Sequence, residues 1–283
     1  MIIEPWLYIL SALLLGLMIG SFLNVVIYRL PIMMERSWQA EARQALQMPV
    51  ETSARFNLCF PASSCPHCQH KIKIWQNIPL ISYLILRGRC AQCSTPISPR
   101  YICVELITGL AFAAVMWRYG ATPLALGGLI LTSVLIALCF IDADTQLLPD
   151  QLTLPLIWMG LLFNLYSGFI TPAEAIWGAV LGYLSLWSLF WVFKLLTGKD
   201  GMGYGDFKLL AALGAWMGAT TLPVIVLMAS LVGIVASIIL RVTRGQPMAF
   251  GPALVIAGWI VWMADSQINQ LIQWWLQLSG LKA

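Results

Sequence analysis

Long apolar runs broken by short polar stretches dominate the chain from end to end. A helical bilayer crossing needs roughly 20 apolar residues. On that rule eight segments qualify, at about 6–28, 102–117, 122–141, 152–167, 173–193, 207–218, 222–240 and 250–264. The second, fourth and sixth are short, so their edges are soft. Only Ala219 to Thr221 part the sixth from the seventh, with Pro223 following, which predicts a tight hairpin. The first run is too long for the apolar core of a signal peptide and lacks a basic stretch before it, so it is expected to stay as a span.

One sizeable polar piece interrupts this pattern, residues 29–101. Met33 to Phe56 is polar with scattered apolar residues and reads as an amphipathic or interfacial helix. Ile78 to Leu86 is apolar but too short to span. It reads as a re-entrant or interfacial segment, or as the core of a small module. After the last run, residues 265–283 alternate Ile, Leu and Trp with Gln and Asn, as in a helix lying on a membrane face. No internal repeat is evident. The expected architecture is an all-α polytopic membrane protein. It has a first transmembrane helix (1–28), a cytoplasmic domain (29–101), a seven-helix membrane domain (102–264) and an interfacial tail (265–283).

Composition agrees. Of the 283 residues 60% are hydrophobic and 10% charged, where soluble domains carry about 25% charged residues. An ordinary soluble protein is excluded, and no nucleic-acid partner is expected. Thirteen Trp, several near segment ends (Trp6, Trp117, Trp275), suit an interfacial aromatic belt. Fourteen of the 16 Lys and Arg fall in 29–101, around Asp206 (Lys194, Lys199, Lys208) and at Arg241 and Arg244; only Arg118 and Lys282 lie in the alternate loops. The positive-inside rule makes the first set cytoplasmic. Both termini are then expected outside, with Asp142 and Asp206 on one face.

Those two aspartates are the first candidates for chemistry. Asp142 ends the run Leu124 to Ile141, and Asp206 joins the glycine-rich loop Gly198 to Gly205 to the run from Phe207. A carboxylate at a membrane boundary is costly and marks a functional site by default. Two carboxyls sharing a site cannot both ionise, which is the arrangement of an acid/base dyad. Asp142, Asp144 and Asp150 together read either as a cation site or as an acidic turn, with Asp150 favoured as cap of the next helix and Asp144 as a support or a water-facing group. Gly203 and Gly205 would let a substrate chain approach closely; the alternative is a glycine turn capped by Asp206. Lys208 reads as a counter-ion or, preferably, a positive-inside anchor.

Cys65-Pro-His-Cys68 and Cys90-Ala-Gln-Cys93 lie 21 residues apart. Four thiolates in two CxxC pairs predict a closed structural zinc site that shapes the loop and does no chemistry. Redox dithiols are the alternative. His67 and His70 are not expected as ligands, and Cys59, Cys103 and Cys139 read as small buried hydrophobes. Glu105, one turn inside the second span, could pair with Arg100 or reach the surface. Asn24, inside the first span beside Gly20 and Ser21, needs a partner within the bundle.

Taken together these residues resemble the type IV prepilin peptidases, bifunctional leader peptidase/N-methyltransferases. Gly20-Ser-Phe-Leu-Asn-Val-Val-Ile-Tyr-Arg-Leu-Pro31 is similar to the family's first-span signature, and the CxxC pairs to its cytoplasmic metal loop. Phe140-Ile-Asp142 through Leu148-Pro149-Asp150, and Gly203-Tyr-Gly-Asp206-Phe-Lys-Leu, are similar to its two aspartate motifs. The resemblance implies an inner-membrane enzyme with catalytic Asp142 and Asp206 facing the cytoplasm. It implies prepilin or pseudopilin substrates, cleavage after a glycine, and methylation of the new amino terminus, usually Phe, by S-adenosylmethionine. It also implies contacts with pilus or secretion machinery. Gly88 carries over as a methyltransfer residue, with Arg89 where many relatives have Lys; Glu105 joins it as a candidate. A cation- or proton-coupled transporter is the contrasting reading, and transport would want these carboxylates near the bilayer midplane. A relative that cleaves without methylating is the third.

Overall fold

The computed structural model describes residues 5–49, 55–239 and 249–279. Arg241, Arg244 and Lys282 of the charge pattern lie outside the described residues, as do the last residues of the tail. The described residues form helices joined by loops, the longest running up to Ile74, with no strand beyond two isolated bridges. Its helices are α1 (Pro5–Ala45), α2 (Ile81–Ile85), α3 (Arg100–Tyr119), α4 (Pro123–Thr145), α5 (Asp150–Ser167), α6 (Pro172–Thr197), α7 (Tyr204–Met217), α8 (Leu222–Ile239), α9 (Gly251–Met263) and α10 (Asp265–Leu278).

Every predicted apolar run is helical. Among the described residues five helices are long and apolar enough to cross a membrane: α1, α3, α4, α6, and α8 with the turn before it; α9 is a shorter apolar helix. The chain is a polytopic membrane protein. α1 extends to Ala45, well past the predicted end at 28. Its polar part, predicted as a separate amphipathic helix, continues the same rod because no glycine stops it and Pro31 does not break it.

The chain forms two compact units, Met1–Ala121 and Thr122–Ala283. In the first, α1 packs along α3. Their backbones close at Gly16, Gly20 and Gly109: a methyl at Gly20 would lie 2.8 Å from the Glu105 Cα. Small residues permit such approach between membrane helices. Asn24 finds the expected internal partner, donating to the Tyr101 carbonyl at 3.0 Å. Buried Arg29 donates to the carbonyls of Asn57 and Pro61, tying the loop back to α1. The apolar stretch Ile78 to Leu86 yields only the short α2, and Ile81, Leu84 and Ile85 are exposed. It is therefore not a module core.

In the second unit α7 is the central element. With 14 residues it is about 21 Å long, shorter than a bilayer core of about 30 Å. From Asp206 to Met217 every residue but the part-exposed Lys208 is buried by protein. Gly178 of α6 meets Gly214 of α7 backbone to backbone, leaving no room for a methyl on either. Asn164 of α5 donates to the Ala215 and Trp216 carbonyls at 2.9 and 3.1 Å. The Trp216 indole N–H donates to the Leu156 carbonyl at 2.9 Å, and its ring stacks on Phe163. These contacts hold α7 at a fixed height, and hence Asp206 in its first turn.

Candidate active site and thiolate cluster

Asp142 lies in the last turn of α4, which ends at Gln146 in a left-handed conformation (φ 54°). The chain then passes Leu148 and Pro149 and enters α5. Asp206 is the third residue of α7; Gly203 is the helix N-cap and its carbonyl accepts the Asp206 N–H at 3.2 Å. Both carboxylates are buried, with 4% and 7% of the residue exposed. The Asp142 carboxylate is near enough for its charge to act on Asp206. Leu148 wedges between the two motifs. A methyl on Gly205 would meet the Leu148 Cβ at 2.6 Å, and one on Gly251 would meet Asp142 Oδ2 at 2.5 Å and Leu148 at 3.3 Å.

Gly205 therefore admits Leu148, whereas a side chain at Gly203 would meet nothing nearer than Asp206 Oδ2, at 3.9 Å. Of the two glycines expected to admit a substrate chain, only Gly203 borders open space. Gly251 went unnoticed in the sequence. Its N–H donates to Asp142 Oδ2 at 3.0 Å and fixes that carboxyl from a helix 109 residues away. The one signal available was a Gly-Pro pair opening the last apolar run.

Two expectations change. Asp150 does not cap α5: Pro149 occupies the cap position and Asp150 is the first helical residue. Its carboxylate instead takes both contacts from Lys208, at 2.6 and 2.8 Å. Lys208 is thus a tie between α5 and α7, two residues from Asp206, and not merely a membrane anchor. Asp144 is exposed.

The cysteine pairs form a second site in the first unit. Cys65, Cys68, Cys90 and Cys93 bring their sulfurs within 4.8 Å of one another. The Cys65–Cys93 and Cys68–Cys90 separations are 3.8 and 3.9 Å. A tetrahedral zinc–thiolate site with bonds of about 2.3 Å has edges of about 3.8 Å, so the donor set fits a four-coordinate metal. The two turns are copies of each other. Cys65 N–H donates to the His70 carbonyl and Cys90 N–H to that of Thr95, and Gln69 and Ser94 both sit at φ 57°. The Thr95 hydroxyl and N–H hold the Cys93 thiol down to about 6. The His70 N–H also favours the Cys68 thiolate, yet burial and the other sulfurs push Cys68 up to about 11. Four thiolates at such range need a cation. His67 and His70 stay outside the cluster, as expected.

Cys59 and Cys103 are exposed and Cys139 half-buried, against the expectation of burial. Cys59 sits in the polar loop and Cys103 on the outer side of α3. Gly88 is buried at φ 67°, and a side chain there would strike the Tyr83 ring. Beside it lies a groove of about 480 Å³ that includes Arg87, Arg89, Cys90 and Ser94. Glu105 neither pairs with Arg100 nor reaches the surface. It is buried and accepts the Leu80 N–H at 3.0 Å, with the Ser21 side chain beside it.

A multi-helix membrane protein with two buried aspartates on separate helices, one within reach of the other's charge, and a four-cysteine cluster in the loop after the first helix, defines the class. Comparison with known proteins agrees. Residues 14–119 match the bacterial peptidase A24 N-terminal domain and residues 129–238 the type IV leader peptidase family. The chain is similar to prepilin leader peptidase/N-methyltransferases of Neisseria gonorrhoeae (55% identical, covering 97% of this chain and 96% of the relative), Stutzerimonas stutzeri (53%, covering 94% of each) and Pseudomonas aeruginosa (52%, covering 99% and 97%). No solved structure matches it. The chain belongs to the type IV leader peptidase family and is an enzyme, an aspartic endopeptidase with N-methyltransferase activity.

Proposed function

We propose that this enzyme removes the basic leader from type IV prepilins or secretion pseudopilins, cutting after a glycine at the cytoplasmic membrane face. It then methylates the amino terminus it has exposed. The observation that carries the cleavage reading is the pair Asp142 and Asp206, both buried and near enough for the charge of one to act on the other. Two carboxyls that share a site hold one proton between them. The ionised one takes a proton from a water as that water attacks the peptide carbonyl. The protonated one donates to the developing oxyanion or the leaving amine, and no covalent intermediate forms. Gly251 orients Asp142, Gly203 leaves space beside Asp206, and the Lys208–Asp150 pair holds α5 and α7 in register.

All eight apolar segments cross or enter the inner membrane in this reading, with both termini periplasmic. Residues 29–101 form the cytoplasmic metal domain, residues 102–264 contain the peptidase helices, and α10 with the rest of 265–283 rests on the outer face. The four cysteines hold structural zinc, consistent with their tetrahedral spacing. S-adenosylmethionine, when bound, supplies the methyl group. The groove beside Gly88 is within the size range of small-molecule sites, about 300–1,000 Å³, and Arg87 and Arg89 offer it two cations. Contacts with pilus or secretion assembly machinery follow from such clients.

Co-expression with a prepilin, following leader removal in the wild type and in Asp142→Asn and Asp206→Asn, tests the proposal. Both variants should insert and neither should process. Retained processing by either one contradicts the assignment.

A further inference from the structure

Glu105 is the buried carboxylate that the peptide-cleaving chemistry leaves without a task. It lies one turn inside α3 with 8% of the residue exposed. It accepts the Leu80 N–H with the Ser21 side chain beside it, and among the described residues no cation pairs with it. An ionised carboxyl has about four acceptor positions, so its capacity is not filled. An acid at this depth without a counter-ion marks a functional site by default.

Two further observations point to what it serves. A cavity of about 230 Å³ is lined by Met18, Ser21, Phe22, Val25, Asn77 and Pro79. Ser21 therefore both lines the cavity and neighbours Glu105, and Pro79 leads directly into Leu80, whose N–H Glu105 accepts. The cavity has a polar end, at Ser21 and Asn77, and otherwise apolar walls. It adjoins the exposed side of α1, where Met18 and Phe22 are largely uncovered, so an apolar helix in the bilayer can reach it sideways. The second observation is Leu80 itself. It sits at φ 58°, ψ −49°, a conformation a leucine rarely adopts, and its N–H is aimed at Glu105. Strained backbone of this kind gathers at working sites.

We infer that this cavity receives the free amino terminus of a cleaved apolar peptide, with Glu105, reached past Ser21, as counter-ion and proton acceptor for its α-ammonium. Its volume falls below the roughly 300 Å³ of the smallest drug-sized sites. One terminal residue fits and a nucleoside-bearing methyl donor does not. The ammonium passes one proton to the Glu105 carboxylate, which frees the nitrogen lone pair. That nitrogen forms a bond to the methyl carbon of a sulfonium donor while the sulfur–carbon bond breaks and its electron pair stays on sulfur. The product is a protonated secondary amine, and Glu105 returns its proton to water.

The inference rests on the methyl-transfer reading, and the test separates the two. A short synthetic apolar peptide without a leader, fluorescently labelled at its carboxyl end, is titrated into the full-length protein in lipid nanodiscs. Its N-acetylated twin is titrated in parallel. The wild type should bind the free amine tighter by about tenfold or more, the worth of a charge-assisted hydrogen bond. Glu105→Gln keeps an acceptor for Leu80 but removes the charge, and should bind both peptides equally. Ser21→Ala should narrow the preference in the same direction, which covers the case of an unfolded Glu105→Gln. A preference undiminished in the folded variants, or absent from the wild type, overturns the inference. A wild type that prefers the free amine but adds no methyl by mass spectrometry supports the cavity assignment and removes the methyl-transfer reading.

Discussion

The thiolate loop and the aspartate bundle each gather acidic groups that repel one another, but over very different stretches of chain. In the loop each half of the site is made by a four-residue turn. His70 and Thr95 accept equivalent hydrogen bonds, and Gln69 and Ser94 adopt the same left-handed φ. In the bundle no local turn brings Asp142 to Asp206. Their positions follow from α7 being locked by Asn164, Trp216 and the Gly178–Gly214 approach, and from Leu148 and Gly251 filling the space around them. A site made by turns is robust to packing defects but depends on its metal. A site made by packing needs no ion, and a change some distance away can spoil it.

Variants can break that contrast, in descending order of effect. Asp206→Asn should lower leader cleavage by about 10³-fold or more, within or above the range for general acid–base groups. The Asp142→Asn/Asp206→Asn pair should be no worse than either alone, because the two act as one unit; rate measurements on purified protein check both. Gly251→Ala places a methyl 2.5 Å from Asp142 Oδ2. It should cost about 100-fold in kcat, in line with the penalty for an ångström of misplacement, while leaving the metal content unchanged. Cys90→Ser should release the metal, read by elemental analysis. It should reduce methylation by about tenfold or more and cleavage by less, since the aspartates belong to the other unit. Lys208→Met should lower cleavage by only a few fold, because the ion pair is part-exposed and such pairs are worth about 1 kcal/mol or less. Asn164→Leu removes the donor to two buried carbonyls and should destabilise the protein by about 1–3 kcal/mol, seen as a lower melting temperature with the dyad chemistry intact.

The same contrast decides what could be read from the chain without coordinates. The cysteine spacing predicted a tetrahedral cluster, and the sulfurs lie at tetrahedral distances, because the determinants are contained within each CxxC turn. That each apolar run forms a helix was legible from the pattern. Their ends were less so: α1 runs on to Ala45 because polar residues such as Glu35 and Gln39 suit a helix as well as apolar ones do. That α7 is buried by protein was not visible, since an apolar helix facing lipid and one facing protein have the same composition. Asp142 and Asp206 stood out through their boundary positions. Gly251, Leu148 and the Lys208–Asp150 tie did not, because each acts on a partner at least 57 residues away and carries no pattern of its own.

Whether the two acids adjoin is measured most directly by cross-linking Asp142→Cys with Asp206→Cys, in a chain whose Cys59, Cys103 and Cys139 are replaced by Ser. Mild oxidation or a short bifunctional thiol reagent in native membranes should join the pair within one chain, while neither single variant reacts. An inserted protein in which the two thiols are each modified by a monofunctional reagent yet never joined would contradict a shared catalytic water.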